Sequence, residues 1–214
     1  MIGHKMNNKH LRKLKPMIPM KAISTALLLF ALTSLTSDEL PKSFSELLVR
    51  AHMTFQYPEG LEETKIIENK QMNYEYALKY PKKKFEVSYA IRPLDKLMHD
   101  YRKKEKKKGS GDININPNEW YSSMLQATIL NISGGQLPEI TNFNKQAVKK
   151  EFNADWGATC FFEVGKEFGQ SYKYCMVVAI HKDNCADAYY FYLSNSKDDF
   201  SELMSPAFHS LKFK

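Results

Sequence analysis

The chain has 214 residues, 31 of them Lys or Arg and 24 Asp or Glu, and a formal net charge of +7. Residues 1–37 hold six basic residues and no acidic one, which leaves 25 basic against 24 acidic side chains in residues 38–214. A nearly neutral domain lacks the positive field that binding to a phosphate backbone requires. The composition therefore argues against nucleic acid as a partner.

Residues 1–37 have the pattern of a secretory signal peptide, with a start at Met20 as an alternative to Met1. Lys21 precedes an uncharged, mostly apolar run at 22–35, and small residues follow, in the order of a basic region, an apolar region and a cleavage zone. The run has 14 residues, fewer than the roughly 20 that span a hydrocarbon core, which disfavours a retained anchor. We expect export to the periplasm or the medium, cleavage within 33–37, and no lipid anchor because no cysteine lies nearby.

Residues 38–214 suit one globular domain. A short amphipathic helix is expected at 43–50, followed by strands at 53–57, 64–67, 71–80 and 85–91. In the third of these strands, apolar and aromatic residues alternate with polar ones at Met72, Tyr74, Tyr76, Leu78 and Tyr80. This alternation is typical of a strand with one buried face, so the segment predicts an antiparallel meander.

A helix is expected at 94–102, after Pro93, and an exposed basic loop at 103–112. Five lysines of this loop are candidates for weak contact with an anionic surface: Lys103, Lys104, Lys106, Lys107 and Lys108. Each such charge contributes about 1 kcal/mol near an anionic membrane. The alternative is an ordinary solvated loop.

The second half of the chain begins with a helix that ends near residue 132, before Gly134 and Gly135. Residues 144–152 fit either a helix or a strand. Three strands are expected at 159–164, 172–181 and 186–193, and the middle one is nearly all apolar over 174–180, as in a strand covered on both faces. A helix at 196–204 and a last apolar patch at Phe208, Leu211 and Phe213 end the chain.

The three cysteines allow one disulfide in an oxidising compartment. If 165–170 joins two antiparallel strands symmetrically, Cys160 lies opposite or beside Cys175, close enough for a disulfide. Two reduced, buried thiols are the alternative, and Cys185 is the remaining cysteine in either case.

No motif for a cofactor, a metal or a catalytic nucleophile is found. His181, Asp183 and Cys185 lie together in one turn, but a closed zinc site needs about four soft or imidazole ligands, and an ordinary polar turn is the better interpretation. Trp120, Trp156 and the tyrosines could line a binding groove, although aromatic residues at these spacings usually belong to the core.

The order of elements resembles the PsbP-like α/β/α sandwich family. The resemblance covers most of 44–213 and depends on FQYPEG at 55–60, YYFY at 189–192, the Ser/Asp-led helix at 196–204 and the ending LKF at 211–213. It implies an α+β fold with an antiparallel β-sheet flanked by helices, and a bias toward binding or scaffold roles. The family's functions are diverse, and the resemblance supplies no catalytic residue.

The sequence therefore predicts an exported, non-enzymatic binding or scaffold protein of an extracytoplasmic assembly, with a protein partner in the envelope and no cofactor. The alternative is a hydrolytic enzyme of the envelope with a cleft of carboxylates and tyrosines. Two carboxylates about 5–9.5 Å apart would favour that alternative, because glycoside hydrolysis uses such a pair.

Overall fold

A computed structural model describes residues 40–109 and 111–214. The predicted signal peptide at 1–37 lies outside these residues. In the described part, no helix has the length and apolarity needed to cross a membrane.

Seven α-helices are described: α1 Lys42–Arg50, α2 Asp95–Glu105, α3 Tyr121–Ile132, α4 Lys145–Phe152, α5 Lys166–Gly169, α6 Asp199–Leu203 and α7 Ser205–Phe208. The described strands are β1 Met53–Phe55, β2 Glu62–Glu63, β3 Tyr76–Lys79, β4 Phe85–Pro93, β5 Thr141–Asn142, β6 Trp156–Glu163, β7 Tyr174–Lys182, β8 Ala186–Ser194 and β9 Leu211–Phe213. A 3-10 turn at Pro117–Glu119 precedes α3, and the Asn116 side chain accepts a hydrogen bond from the Asn118 amide there.

Strands β2 to β8 form one antiparallel sheet in the order β2-β3-β4-β8-β7-β6-β5. Strands β1 and β9 form a separate antiparallel pair. The long strands β4, β8 and β7 lie in the interior of the sheet, and most of their side chains are buried on both faces.

One face of the sheet, here called the aromatic face, carries large rings. Phe85 and Tyr89 of β4 and Tyr190 and Tyr192 of β8 are completely buried there. Helices α1, α4, α6 and α7 and the β1–β9 pair cover this face with further buried apolar side chains. Its rings meet in stacked, tilted and edge contacts, for example 5.5 Å between the centroids of Tyr89 and Tyr190.

The opposite face, here called the alanine face, carries Ala77, Ala90, Ala158 and Ala179. Leu125, Ile129 and Ile132 of α3 and Phe168 of α5 pack on it, and the small alanines leave room for these side chains. Helices therefore cover both faces of an antiparallel sheet, which confirms the predicted α+β sandwich.

Several boundaries differ from the prediction. Residues 64–67 are not a strand, and the strand predicted at 71–80 begins only at Tyr76. Tyr74 consequently lies on the alanine face and Tyr76 on the aromatic face, so the predicted single-face alternation is wrong. Tyr89 is registered with Tyr76, but its carbonyl also accepts the Glu75 N–H at 2.8 Å, so two residues of this strand oppose one residue of β4 and the alternation is interrupted. The Glu75 carboxylate accepts the Ile91 N–H at 3.0 Å next to this point.

Two helical segments also differ. Helix α2 continues to Glu105, so Lys103 and Lys104 are helical and the basic loop begins later than predicted. Residues 145–152 form a helix with Asn144 as its N-cap, which settles the choice left open by the sequence. The helix predicted from residue 196 starts at Asp199.

Candidate functional site

Four strands each contribute one residue to a row at one end of the alanine face. Strand register places Arg92 of β4 opposite Asp187 of β8, Asp187 opposite His181 of β7, and His181 opposite Trp156 of β6. Each residue is two positions from a residue of the alanine face on its own strand, so all four side chains share that face. We call Arg92, Asp187, His181 and Trp156 the polar row.

The His181 imidazole is held at both nitrogens. Only 1% of its side chain is exposed; Nδ1 lies 2.7 Å from Asp187 Oδ1, and Nε2 lies 3.0 Å from Asp183 Oδ1. Tyr121 stacks on the ring at 4.5 Å between centroids. Burial alone would lower the pKa of His181, but hydrogen bonds to the two carboxylates outweigh it and the pKa is raised. A general base needs a free ring nitrogen, so this histidine suits a structural cation better.

Asp183 therefore partners His181 from the predicted polar turn, whereas no hydrogen bond joins Cys185 to that histidine in the described part of the chain. Among residues 40–109 and 111–214, no group of three or more His, Cys, Asp or Glu side chains has a geometry that could hold a metal ion.

Arg92 is also paired within the chain. Its Nη1 donates to Glu75 Oε1 at 2.8 Å, and its Nη2 donates to the Asn73 carbonyl. Burial raises the pKa of Glu75 above its usual range, and the neighbouring guanidinium opposes this only in part. The positive charge of Arg92 is thus already paired with the Glu75 carboxylate within the chain.

An apolar groove of about 330 Å³ borders the polar row, between α2, α3 and the ends of β4 and β8. Its walls are largely apolar: Met72, Pro93, Leu94, Leu97, Trp120, Met124 and Tyr189, with Arg92, Thr128 and Asp187 as the polar members. Leu97 and Met124 are 44% and 47% exposed, so their apolar surface faces solvent. The groove therefore suits an uncharged, apolar group. Trp120, which the sequence placed among core candidates, is part of it.

A basic depression of about 630 Å³ lies further along α2. Four of the five predicted lysines line it, together with other polar residues and one isoleucine: Lys103, Lys104, Lys107, Lys108, Asp100, Asp112, Asn114 and Ile113. Lys106 is not among the lining residues. Asn114 holds the returning chain against α2 by donating to the Tyr101 carbonyl at 3.1 Å and to Glu105 Oε1 at 2.8 Å. Ile113 is 90% exposed.

A smaller cavity of about 170 Å³ lies at the other end of the alanine face. Its wall includes the carboxylate of Glu86, which is 7% exposed, and the rings of Tyr74 and Tyr172. This is the carboxylate and tyrosine combination expected for a hydrolytic cleft. However, Glu86 is the one carboxylate among the described residues that line it, and the hydrolytic mechanism needs two.

Cys160 and Cys175 are not directly opposite each other, but are two register positions apart on the alanine face. Cys160 lies opposite Val177, and Cys175 lies opposite Phe162. The connection between the strands includes α5, which moves the centre of the hairpin toward β7. Both thiols are buried and free, and burial raises the pKa of Cys160 to about 11. They pack as small apolar groups on the alanine face.

Sequence reasoning did not single out Arg92, Asp187 or Glu86. Each is a charged residue inside a strand that is otherwise mostly apolar, and two of them are at least nine-tenths buried. A charged residue in an otherwise apolar strand indicates a buried charge with a partner, and this pattern in the sequence could have identified these residues. Which charges share a row depends on strand register.

No protein-family model matches the chain, and no curated protein matches it significantly. Among solved structures, the chain is similar to the solution structure of cyanobacterial PsbP (CyanoP) from Synechocystis sp. PCC 6803, with a TM-score of 0.38 and 12% sequence identity. The match covers 77% of this chain and 88% of that chain. This finding agrees with the PsbP-like resemblance of the sequence, and at this level of similarity no residue role or activity is transferred from it.

Proposed function

We propose that this chain is a non-enzymatic binding protein that acts outside the cytoplasm, and that helix α2 recognises a segment of a partner protein with an apolar anchor and neighbouring acidic residues. The observation that carries the proposal is the position of the apolar groove and the basic depression on one helix.

The two surfaces follow each other along α2. Leu97 lines the groove, and Asp100 and Lys104 line the depression. Asp100 and Lys104 come three and seven residues after Leu97, so the three side chains lie on one face of the helix. The rise of about 1.5 Å per residue puts Lys104 about 10 Å from Leu97 along the axis. A short extended or helical segment can therefore contact both surfaces.

The groove supports an apolar anchor. Its volume of about 330 Å³ is at the lower end for ligand sites. Its Trp, Tyr and Met side chains are residue types enriched at protein interfaces. Arg92 and Asp187 are already paired with Glu75 and His181, so a charged anchor would find no free counter-ion there.

The depression supports acidic neighbours. Its lining contains four lysines and two aspartates, so its local charge is positive although residues 38–214 are nearly neutral. Complementary charge at the rim of an interface mainly increases the association rate and the specificity, and salt weakens it. We expect binding to be salt-dependent for that reason.

A binding role accounts for the paired state of His181 and Arg92 and for the single carboxylate of the Glu86 cavity. His181 has carboxylates at both nitrogens, Arg92 is bound to Glu75, and the Glu86 cavity has a single carboxylate in its wall. The hydrolase alternative would need a second carboxylate beside Glu86, which the described lining residues do not provide.

A photo-reactive residue at position 97 tests the proposal in cells that produce the chain naturally. The matched control is the same residue at Val49, which is 68% exposed, lies on α1 and is not among the residues that line the groove or the depression. We expect position 97 to crosslink to one protein, and the crosslinked peptide to contain an apolar residue flanked by Asp or Glu.

Replacing Lys103, Lys104, Lys107 and Lys108 by Glu in the same experiment should abolish this crosslink. Equal crosslinking from position 49, a crosslinked peptide without acidic residues, or adducts with lipid alone would contradict the proposal. The mass of the purified protein tests export separately, because a retained Lys21 on material from the cytosol would exclude cleavage within 33–37.

A further inference from the structure

Glu86 has an unusual environment for a carboxylate. It is 7% exposed, lies on interior strand β4, and forms no ion pair with a described residue within 4.0 Å. Lys79, its cross-strand neighbour on β3, also lines the cavity beside Glu86, and its charge lowers the pKa of Glu86, but the side chain is exposed to solvent. Burying a charge without a counter-charge is costly, so a carboxylate at this place needs an explanation.

The hydrogen bonds of Glu86 leave spare accepting capacity. Ser88 Oγ donates to Oε1 at 3.3 Å, and Tyr172 Oη donates to Oε2 at 3.3 Å. Hydroxyl donors usually lie about 2.5–2.7 Å from an ionised carboxylate, so both contacts are loose. A carboxylate offers about four lone-pair sites, and the described residues use two of them.

Glu86 lines a cavity of about 170 Å³, where the unused lone-pair sites of its carboxylate can accept further hydrogen bonds. Tyr74 and Phe168 line it with their rings 6.2 Å apart at 80°, and Tyr172 provides a third ring. Aromatic rings attract cations through their negative faces. An anionic group beside three aromatic side chains is the chemical environment that organic ammonium ions prefer.

The loop that precedes β3 and the connection between β6 and β7, which contains α5, line the cavity and are tied to each other. The Tyr74 hydroxyl accepts the Ile67 N–H at 2.9 Å, and Gln71 donates to Glu167 across the two loops. Gly169 allows the second loop to pass close to Val164, since a Cβ at this position would collide with the valine side chain. These contacts hold the two segments that line the cavity in place.

We propose that this cavity binds the ammonium end of a small organic amine, with Glu86 as its counter-ion and Tyr74, Phe168 and Tyr172 around it. The site lies at the end of the alanine face opposite the polar row and is independent of the α2 surface.

A titration of the full chain with n-butylammonium, followed by NMR of the methyl groups of Leu193 and Ile67, tests the proposal. Both residues line the cavity. We expect saturable shifts with n-butylammonium and at least about tenfold weaker binding to Glu86→Gln, which removes the charge and keeps the shape. The matched control is Glu139→Gln, an exposed position outside the cavity, which should bind like the wild type.

n-Butanol, the neutral analogue, should bind at least about tenfold more weakly than n-butylammonium. Lys79→Ala should bind n-butylammonium at least as tightly as the wild type, because it removes a competing cation. Equal shifts with n-butanol would show an apolar cavity without cation recognition. Unchanged binding in Glu86→Gln, or no saturable shift in the wild type, would also overturn the proposal.

The pH dependence gives a second measurement. Burial raises the pKa of Glu86, and the ionisable groups around the carboxylate are Lys79, Tyr74 and Tyr172. Binding should strengthen as the pH rises through this raised pKa, because only the ionised carboxylate attracts the ammonium ion. Binding that weakens over that interval would contradict the assignment.

Discussion

The two faces of the seven-stranded sheet differ in what they bury. The aromatic face packs rings such as Phe85, Tyr89 and Tyr190 against four helices and the β1–β9 pair. The alanine face carries small residues, and its two ends hold the buried or half-buried charges Glu86, Asp187 and Arg92, with His181. The groove and the Glu86 cavity both open on the alanine face. The aromatic rings are thus concentrated on one side of the sheet, and both proposed binding surfaces lie on the other.

The largest expected effect is on the aromatic face. Tyr190→Ala removes a completely buried ring and a hydroxyl that donates to the Leu211 carbonyl at 3.2 Å and accepts its N–H at 3.1 Å. We expect the free energy of unfolding to fall by about 3–5 kcal/mol, measured by urea denaturation. Met124→Ala, at a half-exposed position of the groove, should change it by about 0.5 kcal/mol or less. Similar losses for both variants would contradict the division between the faces.

The polar row should show a smaller, pH-dependent effect. The raised pKa of His181 means that its stabilising contribution is complete below its ordinary value of 6.5 and is lost as the pH rises through the folded-state pKa. His181→Gln should therefore cost more stability at pH 6 than at pH 9, with a loss at pH 6 of about 1–3 kcal/mol from the orphaned Asp187. The exposed His99→Gln is the control. A cost that grows with pH would show that the charged ring is not the stabilising form.

Glu86→Gln should stabilise the ligand-free protein, because it removes a buried charge. The folded-state pKa of Glu86 is raised above its ordinary value of 4.5. The cost of burying the charged carboxylate is therefore absent when the pH is below the ordinary pKa and complete when the pH is above the raised pKa. We expect a gain of about 0.5–2 kcal/mol at neutral pH and none in acid. Thermal unfolding at several pH values measures it, and a variant that is less stable at neutral pH would indicate that the charge has a partner.

The smallest effect on stability is expected at the basic depression. Replacing Lys103, Lys104, Lys107 and Lys108 by Glu should change the free energy of unfolding by only about 0.5 kcal/mol, because these side chains are on the surface.

Binding of the wild-type protein to anionic vesicles through this depression should be weak and should disappear at high salt. Tight, salt-resistant vesicle binding would favour a membrane over an acidic protein segment as the partner of this surface.

Local sequence patterns predicted many of the elements. The apolar runs of β4, β7 and β8 and the amphipathic spacing of α1 and α3 lead directly to the observed helices and strands. Prediction failed where the strand contains an extra residue. Glu75 and Tyr76 both oppose Tyr89, so Tyr74 lies on the other face although the period of two continues in the sequence.

The candidate sites were predicted less well than the fold. The lysines of 103–108 were visible as a charge run, but their grouping around Ile113 depends on how the chain returns against α2. Cys160 and Cys175 are displaced by two register positions because the number of residues in a connection does not specify its conformation, and the connection between β6 and β7 contains α5.

The order of the elements, the antiparallel α+β class and the near-neutral charge of 38–214 follow from the sequence alone, because periodicity and composition act over a few neighbouring residues. Only the tertiary structure decided that Arg92, Asp187 and His181 form one row and that Glu86 faces a cavity. Those relations join residues up to 95 positions apart, and they depend on strand register and loop path.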